Sequence, residues 1–578
     1  MSRREAILSA GVVFVVALAV RVWAMSQITF PRPEDVAYYV GVARNLVEGR
    51  GLVSDAIWSF NTLPLAFPRP AFEVWLPLPS FLAAVPMALF GTTFAAAQLS
   101  SVVVGSIVCV LAWRLAADVA AARSMPIGRA RTLALGAGLA AGVYLPLVLA
   151  SVQPDSTMPF AALVLIACLL IARLSVPPSL EALAAGPLAP FRGRGINEAR
   201  RRALTQYALG LVLGLAALTR NEAIWLALAY ALLEWRTVAA ALPASPAVGQ
   251  RVRAWLTSVA GVAVIALLVF APWALRDWAV FGTPLPGQAL TNALFLDGRD
   301  VFAWQDPPTL GRYLAAGLPT LFELRVDGTV HNLVNVLLLL GVPLSVVGLV
   351  GLPSVIRPGF AAGQASATPS AANPLNPLAL FSVIAFLVAS LVFPVATTWG
   401  TFLHASGAIH VLLVISALLV LDAAIGWVGQ RRGWTRPVAW LGPTFAIAGC
   451  LLFSGVLLAT DGQASRDGAV HFSELSAALR SPSFAMSIDA EPGPIITDVP
   501  IWLAEVTDHP TLALPNEPIV SILDLAGTFD PPARLLVVSA DNTGAWPATI
   551  LAGDPGADCF VPLDLAVDDV LAFRIRCP

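Results

Sequence analysis

Residues 253–275 read RAWLTSVAGVAVIALLVFAPWAL, and after Arg253 this stretch carries no charged side chain. In a bilayer core the backbone must satisfy its own hydrogen bonds, and a helix of about 20 apolar residues is long enough to cross it. The composition extends this pattern to the whole chain. Of the 578 residues, 57% are hydrophobic and 12% are charged, and the mean hydropathy is +0.78. A soluble domain carries about 25% charged residues, so the sequence excludes an ordinary soluble enzyme and predicts a mainly α-helical, multi-pass membrane protein.

Eleven apolar runs have the length of a membrane span. They lie near residues 6–26, 93–118, 130–150, 156–175, 203–219, 221–240, 253–275, 333–352, 376–396, 404–428 and 437–459. Residues 75–91 are also apolar, but they are few and interrupted by prolines. We expect this segment at the membrane interface, with a twelfth crossing as the alternative.

Arginine predicts the orientation, because cytoplasmic loops retain basic residues. The N-terminus and alternate loops hold Arg3, Arg4, Arg123, Arg129, Arg131, Arg192, Arg194, Arg200, Arg201, Arg202, Arg236, Arg251, Arg253, Arg357, Arg431, Arg432 and Arg436. The N-terminus and the small-residue linker 359–375 are therefore expected in the cytoplasm. An odd number of spans then places loops 27–92 and 276–332, together with residues 461–578, on the extracytoplasmic side. The net charge of −2 gives no sign of a nucleic-acid-binding surface.

The carboxy-terminal part differs in composition from the membrane part, which we take as residues 1–460. In residues 461–578 the apolar runs have strand length, as in PIITDV, RLLVVSA and VLAFRIR, and alternate with helix-like segments. This pattern predicts a small α/β domain. Its two cysteines, Cys559 and Cys577, would form a disulfide in an oxidising compartment, and two unpaired buried thiols are the alternative. The other three cysteines lie in apolar spans and are expected to fill the core.

The first predicted outside loop holds an acidic pair, Glu34 and Asp35, directly after Pro33. Carboxylates are favoured at a helix N-terminus, which is a purely structural explanation of the pair. The functional interpretation is that Asp35, at the membrane surface, accepts a proton from a substrate hydroxyl.

The pattern around this pair resembles the first-loop signature of the polytopic C-type glycosyltransferases. The shared elements are Glu34-Asp35, Tyr38-Tyr39, Ala43-Arg44-Asn45-Leu46 and Gly49-Arg50-Gly51, followed in order by PLPSFLAAVPMALFG, QPDS, LTRNEA and PWALRDWAVFGTPLP. The commonest form of the pair begins with Asp rather than Glu, so the base role is carried over to Asp35 only.

The resemblance implies a GT-C-like fold and transfer of a sugar from a polyprenyl-phosphate donor on the extracytoplasmic side. Direct attack of the acceptor hydroxyl on the anomeric carbon would invert the configuration of the sugar. It assigns Glu73 to the catalytic residues, as a second loop acid that positions the acceptor or assists the base. It assigns Asp155 a role in binding a divalent cation or orienting the donor. The structural alternatives are a solvated carboxylate for Glu73 and a helix cap for Asp155.

Donor binding is expected to involve Arg220, Glu222, Arg276 and Glu34. Arginine suits a phosphate group, but a structural Arg220–Glu222 pair and an interfacial anchor at Arg276 are open alternatives. His404 is expected to make a helix-end hydrogen bond. Trp399 is expected to anchor the chain at the membrane interface, with stacking against a sugar as the alternative.

A second hypothesis is a non-enzymatic transporter of lipid-linked sugars or a cell-envelope assembly scaffold. Transporters usually hold polar residues near the bilayer midplane and often show repeated halves, whereas the acids here crowd the predicted outer surface. The sequence leaves open which sugar is moved and whether the acceptor is a glycan, a lipid or a protein.

Overall fold

The computed structural model describes residues 2–176, 194–242, 247–286, 288–356, 373–435, 438–481, 484, 493–507, 509–542 and 544–577. The predicted linker 359–375, except its last three residues, lies outside this part of the chain. So do Arg192, Arg357 and Arg436.

Helices dominate the described residues. Those of eight residues or more are Arg3–Met25 (α1), Glu34–Val47 (α2), Leu78–Phe90 (α3), Phe94–Ala122 (α4), Ile127–Val143 (α5), Leu145–Val152 (α6), Thr157–Leu174 (α7), Arg194–Ala217 (α8), Ala223–Ala241 (α9), Val248–Phe281 (α10), Gly317–Val330 (α11), Leu344–Ile356 (α12), Asn376–Leu391 (α13), Gly407–Arg431 (α14), Leu441–Leu479 (α15), Pro500–Thr507 (α16) and Ile519–Thr528 (α17), with a π-helix at His331–Leu339.

The chain is a multi-pass membrane protein. Among the described residues, seven helices are long and apolar enough to cross a membrane, and nine segments qualify if each of two bent pairs counts as one span. This count is lower than the eleven predicted. The two further predicted spans fall on α8, which has arginines in its first turns, and on α13, which has 16 residues. The proline-broken segment 75–91 forms the short apolar helix α3.

Two predicted spans are bent rather than straight. Helices α5 and α6 meet at 54°, beside Pro146. The segments Gly317–Leu339 and Leu344–Pro353 meet at 116°, so the predicted span 333–352 is not one straight helix. Proline has no backbone N–H and interrupts the helical hydrogen-bond ladder, and Pro343 lies in this second bend.

A buried arginine stabilises the first bend. Arg21 is fully buried and donates to the carbonyls of Gly142 and Leu147 at 3.0 and 3.3 Å, and to Ser151 Oγ at 2.8 Å. A break in a helix frees carbonyl groups that need other donors. The N–H groups of Arg21 therefore supply hydrogen-bond donors to the carbonyl groups of the bend.

Contacts sort the loops into two ends of the helix bundle. Arg131 pairs with Glu5 at 2.6 Å, which brings the loop before α5 to the end that holds the N-terminus. The first loop, the turn before α7 and the segment before α14 meet at the other end, where Asp35, Asp155 and His404 are in contact. We call this the sheet-bearing end, because the carboxy-terminal sheet also lies against the first loop there.

The sheet joins the two parts of the chain. The strands are Val53–Ser54 (β1), Ala56–Ile57 (β2), Arg69–Pro70 (β3), Ile495–Thr497 (β4), Thr511–Ala513 (β5), Leu535–Ser539 (β6), Phe560–Leu563 (β7) and Val570–Ile575 (β8). Six of them form one sheet in the order β2-β5-β4-β6-β8-β7, and the first four in that order run parallel. β1 and β3 form a separate antiparallel pair.

The α/β fold of the carboxy-terminal region agrees with the sequence pattern, but the region is not separate from the membrane part. Strand β2 belongs to the first loop and pairs with β5 at the edge of the sheet. Helix α15 continues through position 460 without a break, so the division at 460/461 lies inside a helix. At the chain end, Cys559 and Cys577 form a disulfide across 18 residues.

Candidate active site

Helix α2 carries Asp35 to the sheet-bearing end of the bundle. The helix starts after Pro33, and its first turn contains both acids of the motif. Residues four apart lie on the same face of a helix, so Asp35 and the buried Tyr39 face the same way, toward Asp155 and Arg220. The acidic pair therefore points in two directions, and only its second member enters the cluster described next.

Three side chains from distant parts of the sequence meet in this cluster. His404 Nε2 lies 3.0 Å from Asp35 Oδ2, and His404 Nδ1 lies 3.0 Å from Asp155 Oδ2. The same Nδ1 is 2.9 Å from Thr157 Oγ1. We call these residues the Asp35–His404–Asp155 cluster. The imidazole ring thus bridges two carboxylates, one from each side.

The two carboxylates differ in accessibility and in their other partners. The Asp155 side chain is 1% exposed, and it accepts from Thr157 N at 2.8 Å and from Thr157 Oγ1 at 2.9 Å. The Asp35 side chain is 16% exposed. Asp155 therefore holds the start of α7 and the histidine, whereas Asp35 is the carboxylate that an approaching substrate can reach.

Gly400 makes room for the histidine. It has a φ of +108°, a conformation that residues with a side chain rarely adopt. A Cβ at this position would lie 3.1 Å from His404 Nε2. His404 then follows in the short helix Thr401–Ala405, directly before α14.

Electrostatics keep the cluster in a charged form. Burial by itself would lower the pKa of His404, but Asp35 and Asp155 outweigh it and raise that pKa to about 10. Burial likewise opposes ionisation of Asp35, but His404 and then Arg220 outweigh it, so the pKa of Asp35 lies below its usual value. At neutral pH Asp35 is therefore an ionised carboxylate, able to accept a proton.

Arg220 adds a buried positive charge beside the cluster. It donates to Glu222 from Nε at 3.1 Å and from Nη2 at 2.7 Å, to Ser156 Oγ at 2.8 Å and to the Thr401 carbonyl at 3.0 Å. A guanidinium has five N–H groups, and four hydrogen bonds already go to described residues. Its two-pronged face is thus occupied by Glu222, which is the structural alternative that the sequence left open.

Glu34, the other acid of the pair, contacts the carboxy-terminal region instead of the cluster. Its Oε1 accepts from the backbone N–H groups of Ile501 and Trp502 at 3.1 and 3.4 Å. Burial raises the pKa of Glu34 to about 8, although these two N–H groups act to lower it. Glu34 therefore joins the start of α2 to the start of α16.

Two other sequence-predicted site residues lie in separate ion pairs. Glu73 and Arg69 form a buried pair within the first loop, and Arg69 also donates to the Thr62 carbonyl at 2.7 Å. Arg276 pairs with Asp277 at 2.9 Å and stacks over Trp273. In the part of the chain that the structure describes, no hydrogen bond or ion pair joins Glu73 or Arg276 to Asp35.

The remaining first-loop motif residues shape the loop and attach it to the sheet region. Asn45 Nδ2 donates to the Val53 carbonyl at 2.9 Å, and Arg44 pairs with Glu505 of α16. Gly49 and Gly51 both have positive φ, +82° and +90°, which lets the chain turn back after α2. These elements of the motif act through the loop conformation rather than at the cluster.

The cluster also has the composition of a metal site. Asp35, Asp155 and His404 can each offer one ligand atom, and these atoms lie within 4.8 Å of one another. Carboxylate oxygens with an imidazole nitrogen suit divalent ions such as Mn²⁺ or Zn²⁺. Ligation would require one ring nitrogen of His404 to lose its proton, and the charge of the bound cation would then balance the two carboxylates.

His404 is the main residue whose role the sequence underestimates. A helix-end hydrogen bond is present, to Thr157, but the two carboxylate contacts are not predicted. The signal that the sequence does offer is composition: in a chain with five histidines, one of them stands at a predicted outer helix end, the same side as the acids.

Comparison with solved structures supports the architecture. ArnT from Cupriavidus metallidurans bound to undecaprenyl phosphate matches with a TM-score of 0.52 and 13% sequence identity, over 99% of this chain and 98% of that chain. Its apo state matches with a TM-score of 0.50 and 15% identity, over 97% of both chains. The archaeal oligosaccharyltransferase AglB from Archaeoglobus fulgidus, in complex with an inhibitory peptide and a dolichol-phosphate, matches with a TM-score of 0.50 and 13% identity, over 93% of this chain and 69% of that chain.

These likenesses confirm that the chain has the GT-C fold, which the first-loop motifs predict. No family model and no curated protein sequence matches the chain. At identities of 13 to 15%, the likeness shows a shared fold.

Proposed function

We propose that this protein is a membrane glycosyltransferase that moves a sugar from a polyprenyl-phosphate donor to an acceptor hydroxyl. The observation that carries the proposal is the Asp35–His404–Asp155 cluster, which holds an ionised and partly accessible carboxylate at the sheet-bearing end of a GT-C bundle. Perturbed ionisable groups gathered in this way are typical of catalytic sites.

A lipid-linked donor suits the position of the cluster. The phosphate of such a donor lies at the membrane surface because its tail lies in the bilayer. Asp35 stands at the start of α2, and only eight residues separate this helix from the first span. The likeness to ArnT bound to undecaprenyl phosphate and to AglB with dolichol-phosphate supports this choice. A donor of this kind needs no nucleotide-binding domain.

The proposed reaction is a single displacement. The acceptor oxygen forms a bond to the anomeric carbon while the bond from that carbon to the phosphate oxygen breaks. Asp35 takes the acceptor proton, and the bond electrons leave with the polyprenyl phosphate. Attack from the side opposite the leaving group inverts the configuration of the sugar.

Positive charge near the leaving phosphate stabilises the developing negative charge. Arg220 supplies it here as a buried cation whose fork is held by Glu222, so it acts through its charge and its remaining N–H. Asp155 and His404 fix the orientation of Asp35. If a divalent cation binds, Asp35, Asp155 and His404 would hold it, and it would supply further positive charge at the phosphate.

The proposed location is the cell membrane, with the N-terminus in the cytoplasm and the sheet-bearing end outside. The arginine distribution supports this orientation. The acceptor is a glycan, a lipid or a protein presented at that surface. Glu73 and Arg276 stay as proposed contacts of acceptor and donor, reached through rearrangement of their ion pairs.

The test is purified protein in detergent with a polyprenyl-phosphate sugar and cell-envelope acceptors. We expect release of polyprenyl phosphate and a product whose anomeric configuration, measured by NMR, is opposite to that of the donor. Movement of intact donor across vesicles without cleavage would instead support a transporter. Retention of configuration would overturn the single-displacement mechanism.

A further inference from the structure

A cavity of about 470 Å³ opens beside the cluster. Its walls come from the π-helix His331–Leu339 and from the turn that ends in Gly400. Pockets that bind small molecules typically have about 300 to 1,000 Å³. His404 and Pro33 are among its lining residues, and His404 Nε2 lies 3.0 Å from Asp35. The part of the cavity at His404, which we call the His404 end, is therefore next to the proposed base.

The two walls are fixed to each other by a buried hydrogen-bond chain. Asn332 is fully buried in the π-helix; it donates to Ser390 Oγ at 3.0 Å and accepts from Thr397 Oγ1 at 2.8 Å. Thr397 directly precedes the cavity residues Thr398 and Trp399. A satisfied buried network of this kind holds its elements rigidly, so these two walls are held against each other.

The chemistry of the lining is polar without fixed anionic or guanidinium groups. Its polar members are His331, Asn335, Thr398, Trp399 and His404, and its other described members are apolar residues and Gly400. No Asp, Glu or Arg is among the described residues that line it. His404 is already paired with two carboxylates.

A sugar ring fits this lining. One face of the ring is apolar and stacks on an aromatic side chain, and its hydroxyl groups exchange hydrogen bonds with amide and hydroxyl groups. Trp399 is 52% exposed and offers such a surface, and Asn335 is an exposed amide on the π-helix that forms the other wall, 3.2 Å from His331 Nδ1. A charged substituent on the sugar would have no free counter-charge here, and leaving it unpaired is costly.

We infer that this cavity binds the sugar of the donor and that this sugar is uncharged, an inference that rests on the function proposed above. Trp399 and Asn335 contact the sugar and determine which sugar the protein accepts. The anomeric carbon then lies at the His404 end, next to Asp35. The alternative occupant is the first part of the lipid tail, against the apolar residues of the cavity such as Leu340.

The experiment compares polyprenyl-phosphate donors that carry a neutral hexose, a neutral pentose, an amino sugar or a uronic acid. With wild type we expect kcat/KM for a neutral sugar to exceed that for both charged sugars at least about tenfold, or about 1.4 kcal/mol. Trp399→Ala and Asn335→Ala should raise the KM for the neutral donor several-fold and leave inhibition by polyprenyl phosphate unchanged. Trp440→Ala, which removes an equally exposed indole from another part of the chain, is the control and should change neither.

The outcomes separate the two proposals. A preference for an amino sugar or a uronic acid would overturn the inference and leave the proposed function standing. So would a change in polyprenyl phosphate inhibition in the Trp399 and Asn335 variants, because the cavity would then hold the lipid. Failure to cleave any of the four donors would refute the proposed function itself.

Discussion

Replacing Asp35 with Asn is the sharpest test of the proposed base. Asn is isosteric, and its side-chain carbonyl can still accept from His404 Nε2, which lies 3.0 Å from the present carboxylate. The fold should therefore persist while the proton acceptor is lost. A positioned general base contributes about two to four orders of magnitude in rate, and this range corresponds to about 3 to 5 kcal/mol of activation free energy. We expect kcat to fall by that amount, with little change in the KM for the donor.

Asp155→Asn is the matched comparison, because Asp155 contacts the same histidine at the same distance. Its side chain is only 1% exposed, so we expect it to act on Asp35 through His404 and kcat to fall only about tenfold, as for other residues that act through a neighbour. The cost should appear in stability, at about 1 to 3 kcal/mol for a weakened buried hydrogen bond. Thermal unfolding in detergent and the rate of polyprenyl phosphate release measure the two effects separately.

Asp55→Asn is the control for the chemical change itself. Asp55 lies in the same loop and pairs with Arg50 at 2.6 Å, away from the cluster. Its variant should keep the wild-type rate. Full activity of Asp35→Asn, or an equal loss in all three variants, would refute the assignment of Asp35 as the base.

Two further predictions concern the carboxy-terminal region. Burial raises the pKa of Asp498 above its usual value despite hydrogen bonds from Ser539 N and Asn542 Nδ2. The protonated form therefore stabilises the fold in acid, and this contribution is lost as the pH rises through the raised pKa. The melting temperature of Asp498→Asn should fall less with rising pH than that of wild type, and parallel pH profiles would contradict this. Changing Cys559 and Cys577 to Ser should lower the stability of the region by up to about 3 kcal/mol, because the disulfide closes a short loop. The rate of amide hydrogen exchange in β7 and β8 should then rise, and unchanged protection of these strands would contradict the prediction.

The membrane part is largely predictable because its signal is local. An apolar run of span length and the arginines at its ends suffice to place most helices and to divide the loops between two ends. The strands PIITDV, RLLVVSA and VLAFRIR are also found at β4, β6 and β8. Each of these features is a pattern within a short window of sequence.

The site is less predictable because its contacts join distant residues. His404 and Thr157 are 247 positions apart, and Glu34 and Ile501 are 467 apart. Single side chains such as these carry no periodicity that would show their partner. Strand β2 has two residues, too few for an alternating pattern, and its place in the sheet depends on β5. Charge pairs and sheet edges of this kind follow from the packing of the whole chain.

The attachment of α2 to the sheet region explains why the motif extends beyond Asp35. On one side of the helix, Asp35 reaches His404. On another, Glu34 accepts from the N-terminal end of α16, and Arg44, ten residues further along α2, pairs with Glu505 of the same helix. A helix fixed at both ends by one neighbour has little freedom to rotate, and a small rotation of α2 would move Asp35 away from the histidine. The carboxy-terminal region therefore keeps the proposed base in contact with His404 of the membrane bundle. This role is separate from any contact that the region makes with an acceptor.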